Sequence, residues 1–174
     1  GRDEILTASF DGIELLRAGS DGRWTRTPIG KGNPNPRPKG GSSDVAVGRL
    51  GAARFICAIE PWHGNEVVVY RDGGSGWQRT VIDDTLDGGH ALAAADFDGD
   101  GRDEIIAGFR GKGGRTYLYT AEDATGARWT RRVLDENMPA AACAVADLNG
   151  DGRPDLACTG ASGLKWYENL GAAR

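Results

Sequence analysis

Short apolar stretches, in which small or β-branched residues alternate with polar ones, recur along the whole chain. Each is closed by Gly, Asp, Asn or Pro. Examples are DVAVGRL from residue 44, ALAAADF from residue 91 and ACAVADL from residue 142. A period of two over so few residues predicts β-strands rather than helices. The pattern therefore predicts an all-β protein with many short strands.

The strands are arranged in units that repeat roughly every 50 residues. Tryptophans at the start of one strand recur at separations of 53 and 52, at Trp24, Trp77 and Trp129. Tyrosines of another strand recur in step with them, at Tyr70, Tyr119 and Tyr167. Each complete unit contains four strands, of which the first is small and Ala-rich and the outer ones are bulkier. Four-stranded units with this period are typical of β-propeller blades.

We therefore predict a β-propeller of four-stranded antiparallel blades, with about 3.5 blades in this chain. A partial blade spans residues 1–29, two complete blades span 44–83 and 90–135, and a second partial blade spans 141–171. The Pro/Gly-rich segment 30–43 is interpreted as a connector. The first blade lacks its inner strand and the last lacks its outer strand. We expect a homo-oligomer, such as a dimer that completes the propeller, or the remainder of a larger propeller, to cover the open edges.

Two short acidic loops carry the clearest chemistry of the chain. DFDGDGRDEI from residue 96 returns 51 positions later as DLNGDGRPDL. Alternate positions offer oxygen ligands, with the backbone carbonyl at each arginine: Asp96, Asp98, Asp100, Arg102 and Glu104, then Asp147, Asn149, Asp151, Arg153 and Asp155. Oxygen ligands without His or Cys favour Ca²⁺. We predict two Ca²⁺ per chain, and the alternative is an Asp/Gly turn without metal. The counterpart in the second unit, GRLGAARF from residue 48, has no carboxylate and should bind no calcium.

The loop motif, together with the apolar strand before it, resembles FG-GAP (VCBS) repeats, which build integrin-alpha-like propellers. The resemblance covers nearly the whole chain. It implies that each calcium loop joins the innermost strand to the second strand, and that the calcium is structural. It also implies an extracellular, secreted setting, although the sequence shows no signal peptide. The segments WHGN from residue 62 and GGHA from residue 88 resemble the propeller of the aldos-2-ulose dehydratase family, which implies a tunnel metal and elimination from sugars.

Loops at the strand ends opposite the calcium loops form a second candidate site. Both histidines of the chain, His63 and His90, lie there and are candidates for acid–base catalysis or for a transition metal. Candidate ligand-binding residues near them are Trp62, Asn65, Arg110 and Lys112, together with Glu60 and Arg115. Trp can stack on a sugar ring and cations can hold a carboxylate. The alternative is that His90 caps a turn, Trp62 packs between blades, and the basic residues are only solvated.

Two classes of function are left open. The first is a calcium-stabilised extracellular module that binds carbohydrate or protein ligands. The second is a sugar dehydratase or lyase with its site at His63 and His90. A formal charge of −4 argues against a nucleic-acid surface. No apolar run approaches the roughly 20 residues of a membrane span, so no membrane insertion is expected. Cys143 and Cys158 lie on consecutive strands and form either a disulfide or two buried thiols.

Overall fold

The computed structural model of the protein describes residues 4–111 and 113–171. All helices and strands assigned within these ranges are β-strands; no α-helix occurs there. The first sheet contains β1 (Glu4–Ser9), β2 (Gly12–Ala18) and β3 (Trp24–Gly30). The second contains β4 (Asp44–Leu50), β5 (Ala53–Glu60), β6 (Glu66–Asp72) and β7 (Trp77–Asp83). The third contains β8 (Gly89–Ala95), β9 (Glu104–Phe109), β10 (Thr116–Ala121) and β11 (Trp129–Asp135). The fourth contains β12 (Ala140–Ala146), β13 (Asp155–Gly160) and β14 (Gly163–Tyr167).

Each sheet is an antiparallel meander in which every strand pairs with its neighbour in the chain. The innermost strand β8 also contacts β4 and β12, the innermost strands of the adjacent sheets. Consecutive sheets therefore stand side by side with their small strands toward one axis. This arrangement confirms the all-β, partial-propeller architecture. No helix able to cross a bilayer occurs within the described ranges.

Three apolar clusters fill the spaces between consecutive sheets. The first and second sheets share a cluster that includes Ile13 and Tyr70. The cluster between the second and third sheets is the largest and includes Phe55 and Tyr119, while that between the third and fourth sheets includes Leu118. Both faces of an internal sheet are buried, which explains why β5, β6, β9 and β10 carry nearly continuous apolar runs.

Side-chain hydrogen bonds at the outer strands also connect consecutive sheets. Asp83, at the end of β7, accepts hydrogen bonds from Tyr119 Oη and Arg131 Nη1, both at 2.7 Å, from the following sheet. An equivalent hydrogen bond connects the third and fourth sheets, where Tyr167 Oη donates to Asp135 at 2.8 Å. Burial by itself raises the pKa of Asp83, but the hydrogen bonds that its carboxylate accepts outweigh burial and lower that pKa. These hydrogen bonds thus favour the charged carboxylate of Asp83 and connect consecutive sheets.

Cys143 and Cys158 form a disulfide, which decides between the two alternatives that the sequence left open. The residues face each other across β12 and β13, with Cα atoms 4.2 Å apart. Cys57 is a buried free thiol. The disulfide closes a loop that contains the whole second acidic segment, because the two cysteines are separated by 15 positions.

Reduction of this disulfide is expected to destabilise the protein by about 3 kcal/mol, because a loop of about 15 residues regains its freedom in the unfolded chain. The corresponding fall in melting temperature is about 6–12 °C for a domain of this size. Calorimetry with and without a phosphine reductant measures it. The matched control is the double variant Cys143→Ala/Cys158→Ala, whose melting temperature should not respond to reductant. An equal response of the two proteins would contradict the expectation.

Candidate functional site

The first acidic loop joins β8 to β9 and brings carboxylates together. Oxygens of Asp96, Asp98 and Glu104 all lie within 4.8 Å of one another. Within the described ranges, this is the one group of three or more potential metal-ligating side chains that converges so closely. Its placement between the innermost strand and the second strand agrees with what the family resemblance implies. Hard carboxylate oxygens in this number are suited to Ca²⁺.

Backbone hydrogen bonds shape the loop around its first residue. Asp96 accepts from the N–H groups of Gly99, at 2.7 Å, and Gly101, at 2.9 Å. Both glycines have positive φ, 78° and 84°. No atom lies within 4 Å of where a Cβ would be placed at either position. The requirement for glycine is therefore conformational rather than steric.

The electrostatics of the loop also fit a cation. Glu104 is only 2% exposed, and burial raises its pKa to about 7, with further contributions from Asp98, Asp100 and Asp96. Without a counter-charge, these groups oppose each other's ionisation. The guanidinium of Arg102 pairs with Asp100 at the rim of the loop. A bound Ca²⁺ would supply the larger compensating charge, so the residues present fit the ion.

The second acidic loop joins β12 to β13 and has the same backbone geometry. Asp147 accepts from the N–H groups of Gly150, at 2.8 Å, and Gly152, at 2.9 Å. At both loops the arginine N–H donates to the aspartate two positions earlier, at 2.8 Å in the first and 2.9 Å in the second.

The second loop has an amide, Asn149, where the first loop has the carboxylate of Asp98. Asp155 is fully buried and accepts from the N–H groups of Leu148 and Asn169. The amide of Asn149 donates to Asp151 at 2.9 Å and to Glu168 at 3.0 Å. With Asn149 in this place, the second loop does not bring three acidic side chains within 4.8 Å of one another as the first loop does. Glu168 is an additional carboxylate beside the loop that the sequence reasoning did not identify.

The second sheet has a tight turn in place of an acidic loop, and the acidic loop of the third sheet is hydrogen-bonded to that turn. Gly51 N–H donates to Gly101 O at 2.9 Å, and Asp103 N–H donates to Arg49 O at 2.7 Å. Arg49 N–H donates to the Asp103 carboxylate at 3.0 Å. Three hydrogen bonds thus connect the turn of the second sheet, which has no carboxylate, to the acidic loop of the third sheet.

The two histidines meet at the other end of the strands. His90 lies at the start of β8, whereas the first acidic loop follows its end, about 20 Å away for a strand of this length. His63 lies in the β5–β6 turn of the preceding sheet, and its ring centroid is 4.8 Å from that of His90. Trp62 stacks on His63 at 5.1 Å, and Phe10 of the first sheet contacts Trp62 at 5.2 Å. Four rings therefore form one row across three sheets.

Hydrogen bonds fix which ring nitrogens are available. His90 Nδ1 lies 2.7 Å from Ala141 O, so Nδ1 donates and Nε2 of the neutral ring keeps its lone pair. Arg110 Nη2 lies 3.4 Å from His63 Nδ1, which accepts. Burial, His90 and Arg110 together lower the pKa of His63. His63 also has φ of 51°, the one positive value at a non-glycine residue in the described ranges, and such strain is concentrated at functional sites.

Asp44 is the acidic member of this site, and the sequence reasoning missed it. A cleft of about 330 Å³ is lined by Ser43, Asp44, Trp62, His63, His90 and Ala141. Burial raises the pKa of Asp44, and the Val45 N–H and His90 partly offset this effect. The position of Asp44 in its strand was a possible signal. Asp44 is the first residue of the innermost strand β4, and His90 is the second residue of the innermost strand β8. The side chains of Asp44, His63 and His90 do not converge within 4.8 Å as a metal triad.

The other predicted site residues lie outside the cleft, or their polar groups already bind other parts of the protein. Asn65 Nδ2 donates to Asp84 O at 2.7 Å and so holds the loop. Arg115 pairs with Glu136. Glu60 is fully buried, so its expected place on the ligand face is wrong; its oxygens accept from Ser42, Tyr70 and Arg79. Lys112 lies outside the described residues.

Comparisons with known proteins give two kinds of match. The family described as FG-GAP-like repeat matches residues 96–158, and that described as aldos-2-ulose dehydratase, beta-propeller domain, matches residues 1–73. Aldos-2-ulose dehydratase of Phanerodontia chrysosporium is 39% identical over 129 residues, 63% of this chain and 14% of that protein. Integrin alpha pat-2 is 37% identical in Caenorhabditis briggsae and 35% in Caenorhabditis elegans, each over 91 residues, 49% of this chain and 7% of the integrin.

The matched part of the chain thus spans about a seventh of the dehydratase and less still of the integrins. The two family matches fall on different segments, one at the sheets with acidic loops and one at the first two sheets. One family is a repeat and the other is a β-propeller domain, and both agree with the repeated sheets of the structure. Residues 96–158 are therefore similar to FG-GAP-like repeats, and the four sheets form part of a β-propeller.

Proposed function

We propose that this protein is a calcium-stabilised, extracellular propeller module that binds a carbohydrate in the cleft around Trp62, His63 and His90. The observation that supports this most is the row of four contacting rings, from Phe10 to His90. Trp62 is 42% exposed even though it contacts both Phe10 and His63, so part of its indole remains available to a ligand.

Stacking and hydrogen bonding can act on a sugar together in this cleft. The apolar face of a pyranose packs against an aromatic ring, while its hydroxyls need polar partners. The Asp44 carboxyl, the Ser43 hydroxyl and His90 Nε2 supply acceptors and donors on the other walls. The cleft volume of about 330 Å³ is at the lower end of the roughly 300–1,000 Å³ of small-molecule sites. A short ligand fits better than a polymer enclosed along its length.

Calcium has a structural role in this proposal, with one ion at each acidic loop. The loops lie at the strand ends opposite the cleft, so calcium does not touch the ligand. Extracellular Ca²⁺ is millimolar, which is enough to fill modest sites of this type. The similarity to integrin alpha chains supports the extracellular setting.

A second candidate is elimination from a sugar; its support is the 39% identity of the matched segment to part of aldos-2-ulose dehydratase and the acid–base groups that line the cleft. The lone pair on His90 Nε2 is able to remove a proton next to a sugar carbonyl. Asp44, whose pKa is raised by burial, is able to protonate the departing hydroxyl. The electrons of the broken C–H bond form the new double bond, and water leaves. The histidines and Asp44 are also suitable donors for a transition metal such as zinc, although they are not drawn together as a triad.

The variant Trp62→Ala tests the proposal. A glycan array identifies the best ligand, and titration calorimetry with that oligosaccharide gives its affinity. We expect Trp62→Ala to weaken binding at least tenfold, because about 1.4 kcal/mol of stacking is lost. Trp166→Ala is the matched control, since Trp166 is exposed on the fourth sheet and does not line the cleft.

Equal affinities of the two tryptophan variants would contradict the proposed site, as would an array without any saturable ligand. His90→Ala separates the two candidate functions. Proton NMR of reducing sugars incubated with the protein detects the vinylic proton of an elimination product. Product formation that His90→Ala abolishes while binding persists would identify the protein as an enzyme.

A further inference from the structure

The row of four rings beside the cleft has a guanidinium near each end. At the first-sheet end, Arg37 lies over the ring of Phe10, with its Cζ 5.6 Å from the centroid, and it is paired with Asp11. At the histidine end, Arg110 comes from the β9–β10 loop of the third sheet, and its Nη2 contacts Nδ1 of His63. The charge of Arg37 is therefore compensated within the protein, and the charge of Arg110 has to be considered separately.

Arg110 has no acidic partner within the described ranges. Its side chain is exposed, and its contact with His63, at 3.4 Å, engages one of the five N–H donors of a guanidinium. The backbone carbonyl of Asp87 accepts from the residue that follows Arg110, at 2.8 Å, but the Asp87 carboxylate forms no ion pair with the guanidinium. Arg115, in the same loop, does pair, with Glu136. Arg110 therefore keeps donors and an uncompensated charge for a ligand.

The contact with Arg110 also decides which nitrogen of His63 carries the proton. A guanidinium only donates, so Nδ1 of His63 accepts and the neutral ring holds its hydrogen on Nε2. Burial, His90 and Arg110 lower the pKa of His63, which keeps the ring neutral at pH 7. His90 has the opposite tautomer, because its Nδ1 donates to Ala141 O. The two rings that line the cleft therefore offer one N–H donor and one lone pair.

Donors and acceptors are thus separated within the site. On one side, Arg110 and the Nε2–H group of His63 donate, and this side is positively charged. On the other side, Nε2 of His90 accepts, and the Asp44 carboxyl is close enough to His90 to interact with it electrostatically. A ligand with a carboxylate at one end and hydroxyls at the other matches this polarity. These four side chains belong to the second and third sheets, which pack against a neighbouring sheet on both faces.

We propose that the cleft binds an oligosaccharide that contains a uronic acid, and that Arg110 determines this specificity by holding the C6 carboxylate. The inference rests on the carbohydrate site proposed above and specifies the class of sugar that it takes. A guanidinium forms two parallel hydrogen bonds with a carboxylate, which a C6 hydroxyl cannot replace. The remaining hydroxyls donate to His90 Nε2 and to Asp44, while the ring face packs against Trp62.

Titration calorimetry with matched pairs of ligands tests the proposal. Trisaccharides of galacturonate and of glucuronate are each compared with their carboxyl-reduced forms, in which a primary alcohol replaces every carboxylate. For at least one pair, we expect the uronate to bind at least tenfold more tightly than the reduced form. Raising NaCl from about 50 mM to about 500 mM should weaken binding of that uronate several-fold and leave the reduced form unchanged, because salt screens an exposed charge.

Arg110→Gln should weaken uronate binding at least tenfold without changing the affinity for the reduced form. The variant should fold normally, since the Arg110 side chain is exposed. Arg132→Gln is the matched control, because Arg132 is an exposed arginine of the same sheet that does not line the cleft and has no carboxylate partner within the described ranges. Its affinities for both ligands should equal those of the unmodified protein.

Trp62→Ala separates failure of this inference from failure of the carbohydrate site. If the two members of each pair bind equally and Trp62→Ala weakens both, the carbohydrate site stands and the uronate specificity is wrong. Binding of a neutral glycan alone would have the same meaning. A preference for uronate that survives Arg110→Gln would overturn the role of Arg110, because another group would then hold the carboxylate. If no sugar binds at all, the proposed function fails and this inference fails with it.

Discussion

Removal of calcium is expected to lower the melting temperature of this protein by about 10–20 °C. An ion present at 100 times its Kd stabilises the folded state by about 2.7 kcal/mol per site. Two sites therefore contribute about 5 kcal/mol, and each kcal/mol changes the melting temperature of a domain of this size by about 2–4 °C. The unfolded chain does not assemble the loops, so binding favours only the folded state.

Thermal unfolding in excess EGTA, and separately in Ca²⁺ well above the roughly millimolar Kd of the weakest extracellular sites, measures this effect. Asp96→Ala and Asp147→Ala should each remove about half of the calcium-dependent shift, since the loops are separate sites. Asp11→Ala is the control, because Asp11 is an exposed acid whose partner is Arg37 rather than a loop. Calcium should exceed magnesium in effect. Identical melting curves with and without chelator would show that neither loop holds a structural ion.

Glu60→Gln is expected to cost about 3–5 kcal/mol of folding free energy, because it weakens three hydrogen bonds to a buried charged acceptor, each worth about 1.5–3 kcal/mol. Glu60 is fully buried, and its Oε2 lies 2.7 Å from Arg79 Nη2. Its Oε1 accepts from Tyr70 Oη at 2.6 Å and from Ser42 Oγ at 2.9 Å. The carboxylate is thus the charged acceptor of three side-chain donors, whereas Arg79 reaches solvent and keeps Glu66 as a partner when the charge is lost.

Urea unfolding of the calcium-loaded protein measures this change in free energy. Glu136→Gln is the matched control, because Glu136 forms an exposed ion pair with Arg115 and its loss should leave the urea midpoint unchanged. Glycan affinity should survive Glu60→Gln at 25 °C, since Glu60 does not line the cleft. Equal midpoints for the two variants would mean that the buried pair contributes no net stability.

The architecture was predictable because it is repeated. Trp77 and Trp129 mark the outer strands and Tyr70 and Tyr119 the third strands at one period, so strand order follows from alignment of the chain with itself. The loops from Asp96 and Asp147 are predictable for the same reason. Ligand positions alternate with glycines, and such spacing has few structural solutions.

Features that occur once were harder to predict. Asp44 has no counterpart at the start of β8 or β12, so no repeat indicates that it faces the cleft. Glu60 follows an apolar strand beside Trp62 and gives the pattern of a surface loop, yet its partners Tyr70 and Arg79 come from the next two strands and enclose it. Long-range partners of this kind are invisible to local patterns.

The hydrogen bonds from Arg49 and Gly51 to the neighbouring loop bear on how such arrays vary between proteins. A unit whose own turn lacks carboxylates is hydrogen-bonded to the acidic loop of the unit that follows it. Under the proposed calcium binding, one ion at that loop orders two turns. The number of intact acidic motifs then understates the number of sheets whose order depends on calcium.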